Sequence, residues 1–393
     1  MIQVRQFFEM PHAPRRWFWN SILFPFLVTR AIWVLVAYFA TGNYLPNPSY
    51  ETYVKRGYFL TSIFPLDIFT RWDSRWYFSI IKNGYQASAD LKTTYSNMAF
   101  FPLYPYLVKS LGWFGLDLPN GYYIVIGLIL SNLCFLAAAV LLYRLITGPL
   151  GFRHVAAQSA IGLLFVFPAG FFLASFYPES LFLFLTLAAF SLALQEKWLL
   201  TGLCVALAVL ARPQGVVLAF ALAWLYMEKR QWRLRDIRLD VLWFALAPIA
   251  LLLHFYTLYL KTGDIFAYFD ATAAWGGVQA SILQNPWQNL QGPYLDVYKI
   301  DLILIILFLA CSIYILLKWP VKAYGIFALI MCIMPLATGL LVSLSRELVV
   351  IFPIFILLGE KLKRREGYTL LQAAWFALQI VYFAGWVNYY WIA

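Results

Sequence analysis

The sequence predicts an all-α polytopic membrane protein, and three observations predict it. Of its 393 residues, 63% are hydrophobic and only 12% charged, whereas a soluble domain carries about 25% charge. Apolar runs long enough to cross a bilayer recur along the whole chain. The short stretches between them alternate between basic and non-basic, as loops on the two sides of a membrane do. No repeat, low-complexity stretch or linker divides the chain, so a single integral membrane domain over 1–393 is expected.

The elements follow in order. A first span is expected near 21–41, then a long loop over 42–121, then spans near 122–143, 155–176 and 180–195. Residues 198–227 read as two short apolar halves broken at "ARPQG", Ala211 to Gly215. Proline and glycine at such a break are tolerated where the backbone is buried in protein or faces a watery cavity. Spans near 241–260, 300–317, 323–342, 347–360 and 368–386 complete the series, with a second long loop over 261–299. Counting both halves of 198–227 as a hairpin gives about 11 segments.

Charge orients them. With Arg5, Arg15 and Arg16 in the cytoplasm, the chain returns to that side at Arg144 and Arg153 and at Lys197. It returns again at "EKRQWRLRDIR" (Glu228 to Arg238), at Lys318 and Lys322, and at "KLKRR" (Lys361 to Arg365). Every one of these turns is basic, as the positive-inside rule requires. A single span over 198–227 would leave one basic cluster outside, so the hairpin is preferred. The two long loops and the turns at 177–179, 212–215 and 343–346 then face away from the cytoplasm.

The same topology accounts for the net charge of +11. In a soluble protein that charge points to nucleic acid; here cytoplasmic lysines and arginines explain it, and no nucleic-acid partner is expected. Cys134, Cys204, Cys311 and Cys332 all fall inside apolar runs, which gives no disulfide framework. His12, His154 and His254 have no metal-ligand spacing, and no glycine-rich nucleotide fingerprint occurs. Neither a metal nor a cofactor is expected. The first apolar run, Ser21 to Thr41, is of spanning length and lacks a small-residue cleavage site.

Within the first long loop lies "TRWDSRWY", Thr70 to Tyr77. Thr70-x-x-Asp73 has the form of a capping box, and Asn83-Gly84 gives a helix stop. Trp72, Trp76 and Ile80 would form one apolar stripe, so a helix lying on the outer leaflet is expected, with Asp73 as a cap partner. The same membrane face carries "FFPLYP" (Phe100 to Pro105), "SFYPES" (Ser175 to Ser180), Arg212 of "ARPQG" and Arg346 of "SLSREL". Each has a structural explanation. Glu179 beside Pro178 suits a helix N-terminus, and the arginines can snorkel. A carboxylate, a second acid and two arginines on one face nevertheless resemble a site. Arg30, inside the first span, is costly at that depth and is a functional candidate by default.

"RWDSRWYFSIIKNGY", Arg71 to Tyr85, resembles the first outer loop of PIG-V-type mannosyltransferases, relatives of the enzyme that adds the second mannose in GPI-anchor assembly. "FFPLYP", "YPESLF", "ARPQG" and "SRELVVIFP" follow in that family's order, so the resemblance spans Arg30 to Pro353. One departure is Glu347, where the family pattern has tyrosine after the arginine. The resemblance implies a GT-C glycosyltransferase: a helical membrane bundle with interfacial helices in the first outer loop and an active site facing away from the cytoplasm. The implied donor is a polyprenyl- or dolichyl-phosphate sugar, mannose, with a lipid- or glycan-linked acceptor, inverting stereochemistry and membrane lipids as surroundings. It implies Asp73 and Glu179 as catalytic residues, and Arg71, Trp72, Arg75, Tyr104, Tyr177, Arg212, Gln214 and Arg346 as substrate-binding ones. The chain is compact for a eukaryotic member and shows no ER-retention tail, so a prokaryotic plasma membrane is expected, or an ER membrane with a lumenal site if eukaryotic.

The chemistry agrees. Glycosyl transfer needs a base for the acceptor hydroxyl, which a positioned carboxylate supplies. It needs positive charge where the lipid phosphate departs, and arginine matches phosphate oxygens bidentately. A transporter or flippase of lipid-linked sugars is the rival; it should show interrupted helices in matching positions of two halves. The sequence shows one clear interruption, at "ARPQG".

Overall fold

The computed structural model describes residues 14–43, 46–88, 90–112, 119–274, 295–337, 344–362 and 366–392, and among these there is no strand. In chain order the main helices are α1 (Phe24–Asn43), α2 (Ser74–Asn83), α3 (Leu103–Leu111), α4 (Asn120–Thr147), α5 (His154–Val166) and α6 (Glu179–Leu194). Then come α7 (Trp198–Ala211), α8 (Gly215–Lys229), α9 (Leu246–Thr262), α10 (Ala267–Ala273) and α11 (Leu295–Lys318). The last are α12 (Lys322–Ala337), α13 (Leu344–Leu348), α14 (Phe352–Leu362) and α15 (Glu366–Val387). Five described stretches, Arg16–Asn43, Gly121–Thr147, Leu239–Thr262, Lys299–Lys318 and Glu366–Val387, are long and apolar enough to cross a membrane. Shorter apolar helices, including α5, α6, α7 and the Lys322–Leu336 part of α12, accompany them. The fold is thus all-helical and of membrane type, while the count of eleven segments remains a sequence expectation.

The break at "ARPQG" has the expected form: α7 ends at Ala211 and α8 begins at Gly215. Arg212 is extended (φ −155°, ψ 147°), as the residue before a proline prefers. Gly215 makes the hairpin tight, because a Cβ there would lie 2.3 Å from the Val209 backbone nitrogen.

Other boundaries differ from expectation, each for a local reason. The span expected over 155–176 is helical only to Val166; Phe167, preceding Pro168, leaves the α region at ψ 139°. The chain then runs through a 3-10 turn, Gly170–Ala174, to Glu179, and residues 167–178 are buried throughout. The span expected over 347–360 is two pieces, α13 and α14, with Pro353 in the first turn of the second. Residues 338–342 of the span near 323–342, and 275–294 of the second loop, lie outside the described residues. The capping box does not form: α2 starts at Ser74, with Asp73 just ahead of it, and the Thr70 hydroxyl bonds Asp67 instead. Nor do Trp72, Trp76 and Ile80 form one stripe of a single helix. Trp72 precedes the helix, and its buried face is Tyr77, Ile80 and Ile81. The stop at Gly84 stands, with φ +71°.

Contacts group the chain into two compact units that no single cut separates: residues 1–74, 117–187 and 352–393 form one, and 75–116 and 188–351 the other. In the first, α14 packs along α5, and α15 along α1. Its buried non-helical stretch is satisfied by side chains from the surrounding helices. Gln379 donates to Phe165 O (3.0 Å) and Phe167 O (2.7 Å), and Asn132 Nδ2 to Ala174 O (3.3 Å). Arg30, a candidate by its depth, serves this frame: Nε and Nη2 donate to Asn132 Oδ1 at 3.1 and 3.0 Å, with the guanidinium 3.8 Å from the Phe26 ring centre. Irregular backbone inside a membrane bundle is stable only when satisfied in this way. In the second unit α11 packs on α12, α7 on α8 and α9, and α8 on α12.

Candidate active site

Asp73 sits in a segment of the first unit organised by a residue the sequence reading passed over, Asp67. Its carboxylate, 3% exposed, accepts the backbone N–H groups of Phe59 (2.9 Å), Leu60 (2.8 Å) and Thr61 (3.1 Å). It also accepts the Thr70 hydroxyl at 3.3 Å and Arg71 Nη1 at 2.6 Å. Arg71 Nη1 additionally reaches Asp67 O at 2.6 Å, and the guanidinium stands 4.7 Å from the Tyr389 ring centre. The i, i+4 spacing of Asp67 and Arg71 was a signal for this pair. The three N–H donors were not foreseeable.

Trp72 then turns the chain through the left-handed region at φ +55°, a conformation that costs a residue with a Cβ roughly 1–2 kcal/mol. One hydroxyl secures the turn. Tyr177 Oη donates to Arg71 O and accepts from Asp73 N, both at 3.0 Å, bridging the two sides of Trp72. The neighbouring backbone zips onto the same strap: Phe176 N donates to Phe69 O at 3.0 Å, and Ser74 Oγ to Phe176 O at 3.4 Å. Trp386 Nε1 donates to Ile68 O at 2.8 Å, and the Trp72 ring lies edge-on to Trp391 at 4.8 Å. "TRWDSRWY" and "SFYPES", about a hundred residues apart, are thus joined by the Tyr177 and Ser74 hydroxyls and, just ahead of the first motif, by a backbone bond to Phe69. Asp73 is 7% exposed, and Glu179, the first residue of α6, only 1%.

In the second unit the structure joins Arg212, Gln214 and Glu347. Arg212 Nη2 donates to Glu347 Oε1, and Gln214 Nε2 donates to Glu347 Oε2 at 2.7 Å. Glu347, the departure from the family pattern, is therefore what holds two of the expected site residues. Tyr268 of α10 belongs to the same surroundings: burial and the nearby Glu347 charge push its hydroxyl up to about 12. Arg346 is half-buried on α13, whose Ser345 N–H points to the buried Asp301 carboxylate at 3.3 Å. Tyr104 is fully buried with its ring 5.8 Å from that of Tyr77, and Arg75 lies over the Trp76 ring at 4.6 Å.

The sequence matches the family described as Mannosyltransferase (PIG-V) over residues 65–273, just over half of the chain. The chain belongs to the PIG-V mannosyltransferase family. The matched region of this PIG-V-family protein contains Asp73, Tyr104, Tyr177, Glu179, Arg212 and Gln214, and stops short of Arg346 and Glu347. Mannosyl transfer is what the family's description names, and the apolar helices of this chain make it a membrane protein. No curated protein matches it significantly. Two crystal structures of the Archaeoglobus fulgidus oligosaccharyltransferase, one apo and one with zinc and sulfate, are similar to it at 14% identity, with TM-scores of 0.49 and 0.46. They align with 93% and 92% of this PIG-V-family chain but with 56% and 53% of their own, so it spans about half their length.

Proposed function

We propose that this PIG-V-family enzyme transfers mannose from a polyprenyl-phosphate donor to a hydroxyl of a lipid- or glycan-linked acceptor, on the non-cytoplasmic face, with Asp73 as general base. The observation that carries the proposal is the Tyr177 bridge, which holds the backbone of Asp73 at the end of a left-handed turn. A residue whose backbone is pinned, beside such a turn, by a partner 104 positions away is fixed in place. In the reaction the acceptor oxygen attacks the anomeric carbon while Asp73 takes its proton, and the bond from that carbon to the phosphate oxygen breaks. Polyprenyl phosphate leaves, and a single displacement inverts the anomeric centre. Glu179 is assigned to holding the acceptor or assisting the base.

Arg346, with Arg212 and Gln214 in support, is assigned to the donor phosphate, because the planar fork of arginine matches phosphate oxygens. Trp72 and Arg75 are assigned to the substrates, whereas Arg71, Tyr177 and Tyr104 hold the protein in shape. Arg71 is ion-paired to Asp67, Tyr177 spans the turn, and Tyr104 is wholly buried.

The test is sugar transfer by detergent-purified protein without a membrane gradient, from polyprenyl-phosphate mannose. Transfer supports the enzyme; donor binding with no transfer by folded wild-type protein removes the proposal. Donor titration of Arg346→Lys decides the phosphate assignment: wild-type affinity and turnover would strike Arg346 from the site. For sidedness, a cysteine introduced at the exposed Thr94 should react with an impermeant reagent from outside, and one at Gln231 should not.

A further inference from the structure

A cavity of about 480 Å³ opens in the first unit between α1, α5 and α15, within the size range of sites for small ligands. It is separate from the Asp73 cluster. Along the helices the cavity residues precede a closed layer in which Trp33 Nε1 donates to Gln379 Oε1 (3.3 Å) and Gln379 Nε2 reaches Phe165 O and Phe167 O. Trp386, which bonds the Asp73 segment, follows that layer.

Its lining mixes apolar side chains with seven uncharged polar ones: Asn20, Ser21, Thr29, Gln158, Tyr368, Thr369 and Gln372. Among the described residues no charged one lines it. Three features show that the polar part is built. Ser21, 7% exposed, has its Oγ buried without a hydrogen-bond partner, and such a group costs stability unless a ligand or water completes it. Ser21 also lies in a π-turn, Trp19–Leu23, one residue ahead of Pro25. Proline brings no N–H, so a carbonyl of Asn20 or Ser21 loses its helical donor and turns acceptor for something else. Finally, Gly162 makes room: a Cβ there would lie 2.4 Å from Tyr368 Oη and 3.6 Å from Gln372 Nε2, which leaves both polar ends in the cavity wall. At the mouth, Phe24 is 54% and Val28 36% exposed, on a helix apolar enough to face lipid.

We propose that this cavity is a second binding site, for the uncharged, hydroxyl-bearing headgroup of a neutral membrane lipid whose chains lie along Phe24 and Val28. Amides and hydroxyls supply both donors and acceptors, as a sugar or polyol headgroup requires. Among the described lining residues none carries the positive charge a buried phosphate needs, and the neighbouring Arg30 is engaged by Asn132 and the Phe26 ring. The site is independent of the transfer reaction assigned to Asp73.

The test uses full-length protein reconstituted in phosphatidylcholine vesicles. These contain equal small fractions of monoglucosyl diacylglycerol, diacylglycerol and phosphatidylglycerol. The protein is then washed in a polyoxyethylene detergent, which carries no sugar, and the retained lipid is counted by mass spectrometry. Wild-type protein should retain the glucosyl lipid about 10-fold over the other two, the preference that one or two headgroup hydrogen bonds give. Gly162→Leu, which fills the cavity, should abolish the preference. If that variant does not fold, Gln158→Leu and Gln372→Leu, at half-buried positions, should each remove most of it. Equal retention of diacylglycerol, enrichment of phosphatidylglycerol, or an undiminished preference in the folded variants would overturn the proposal.

Discussion

The Arg71–Asp67 pair of the first unit and the Arg212–Glu347 pair of the second are both withdrawn from solvent, with side chains no more than 12% exposed. Their carboxylates are held differently. Asp67 accepts three backbone N–H groups besides a hydroxyl and the arginine, so it cannot leave without undoing the chain from Phe59 to Thr61. Glu347 is held by the ends of two side chains, Arg212 and Gln214, which rotamer changes alone can redirect. The difference separates scaffold from exchangeable partner. An arginine paired with a movable carboxylate can pass to a phosphate, whereas one locked beside a backbone-bound carboxylate stays where it is.

The comparison can be broken, and the largest effect should come from Asp67→Asn. Removing that charge leaves the buried Arg71 guanidinium without a counter-charge, and the NH2 that replaces one oxygen faces N–H donors alone, for a loss of about 3–5 kcal/mol in stability; thermal unfolding in detergent measures it, and a near-native melting temperature would end the scaffold assignment. Next is Asp73→Asn. Unfolding should be close to wild type, with transfer reduced about 100-fold or more, the share a positioned base contributes. An active, folded asparagine variant would return Asp73 to a capping role.

Tyr177→Phe comes third. It strands Arg71 O and Asp73 N, at about 1–3 kcal/mol, and shifts the base rather than removing it. The turnover number should fall about 10-fold at unchanged donor KM, since a misplaced catalytic group loses rate rather than binding. A rise in KM alone would place Tyr177 on the substrate. The smallest effect belongs to Glu347→Gln. Its isosteric amide still accepts from Arg212, and its NH2 can donate to a flipped Gln214, so stability should drop by only about 1–2 kcal/mol, and donor KM should fall a few-fold because a neutral amide competes less with phosphate for the arginine. Damage equal to that of Asp67→Asn would erase the contrast between the two pairs.

How much of this was legible varied with the range of the interaction. The hairpin at Arg212–Gly215 and the stop at Gly84 could be read directly, because proline and glycine act on their own backbone and its immediate neighbours. The ends of α5 at Val166 and of α13 before Pro353 carried the same signal, overridden in the sequence reading by continuous hydrophobicity. Asp67 and Arg71 were legible as an i, i+4 pair but not as a backbone anchor, since the donors come from residues folded back from before the helix.

By itself, the sequence determined the membrane class, the helical architecture, the broken span and the family, for each is written in composition, spacing or motif order. Only the tertiary structure decided that Trp72 turns left-handed under the Tyr177 hydroxyl, that Arg71 is engaged by Asp67, and that Glu347 joins Arg212 to Gln214. Residue periodicity reports neighbours within a turn or two of helix. Tyr177 reaches Arg71 across 106 positions and Glu347 reaches Arg212 across 135, and such pairs exist only once the helices that carry them have packed.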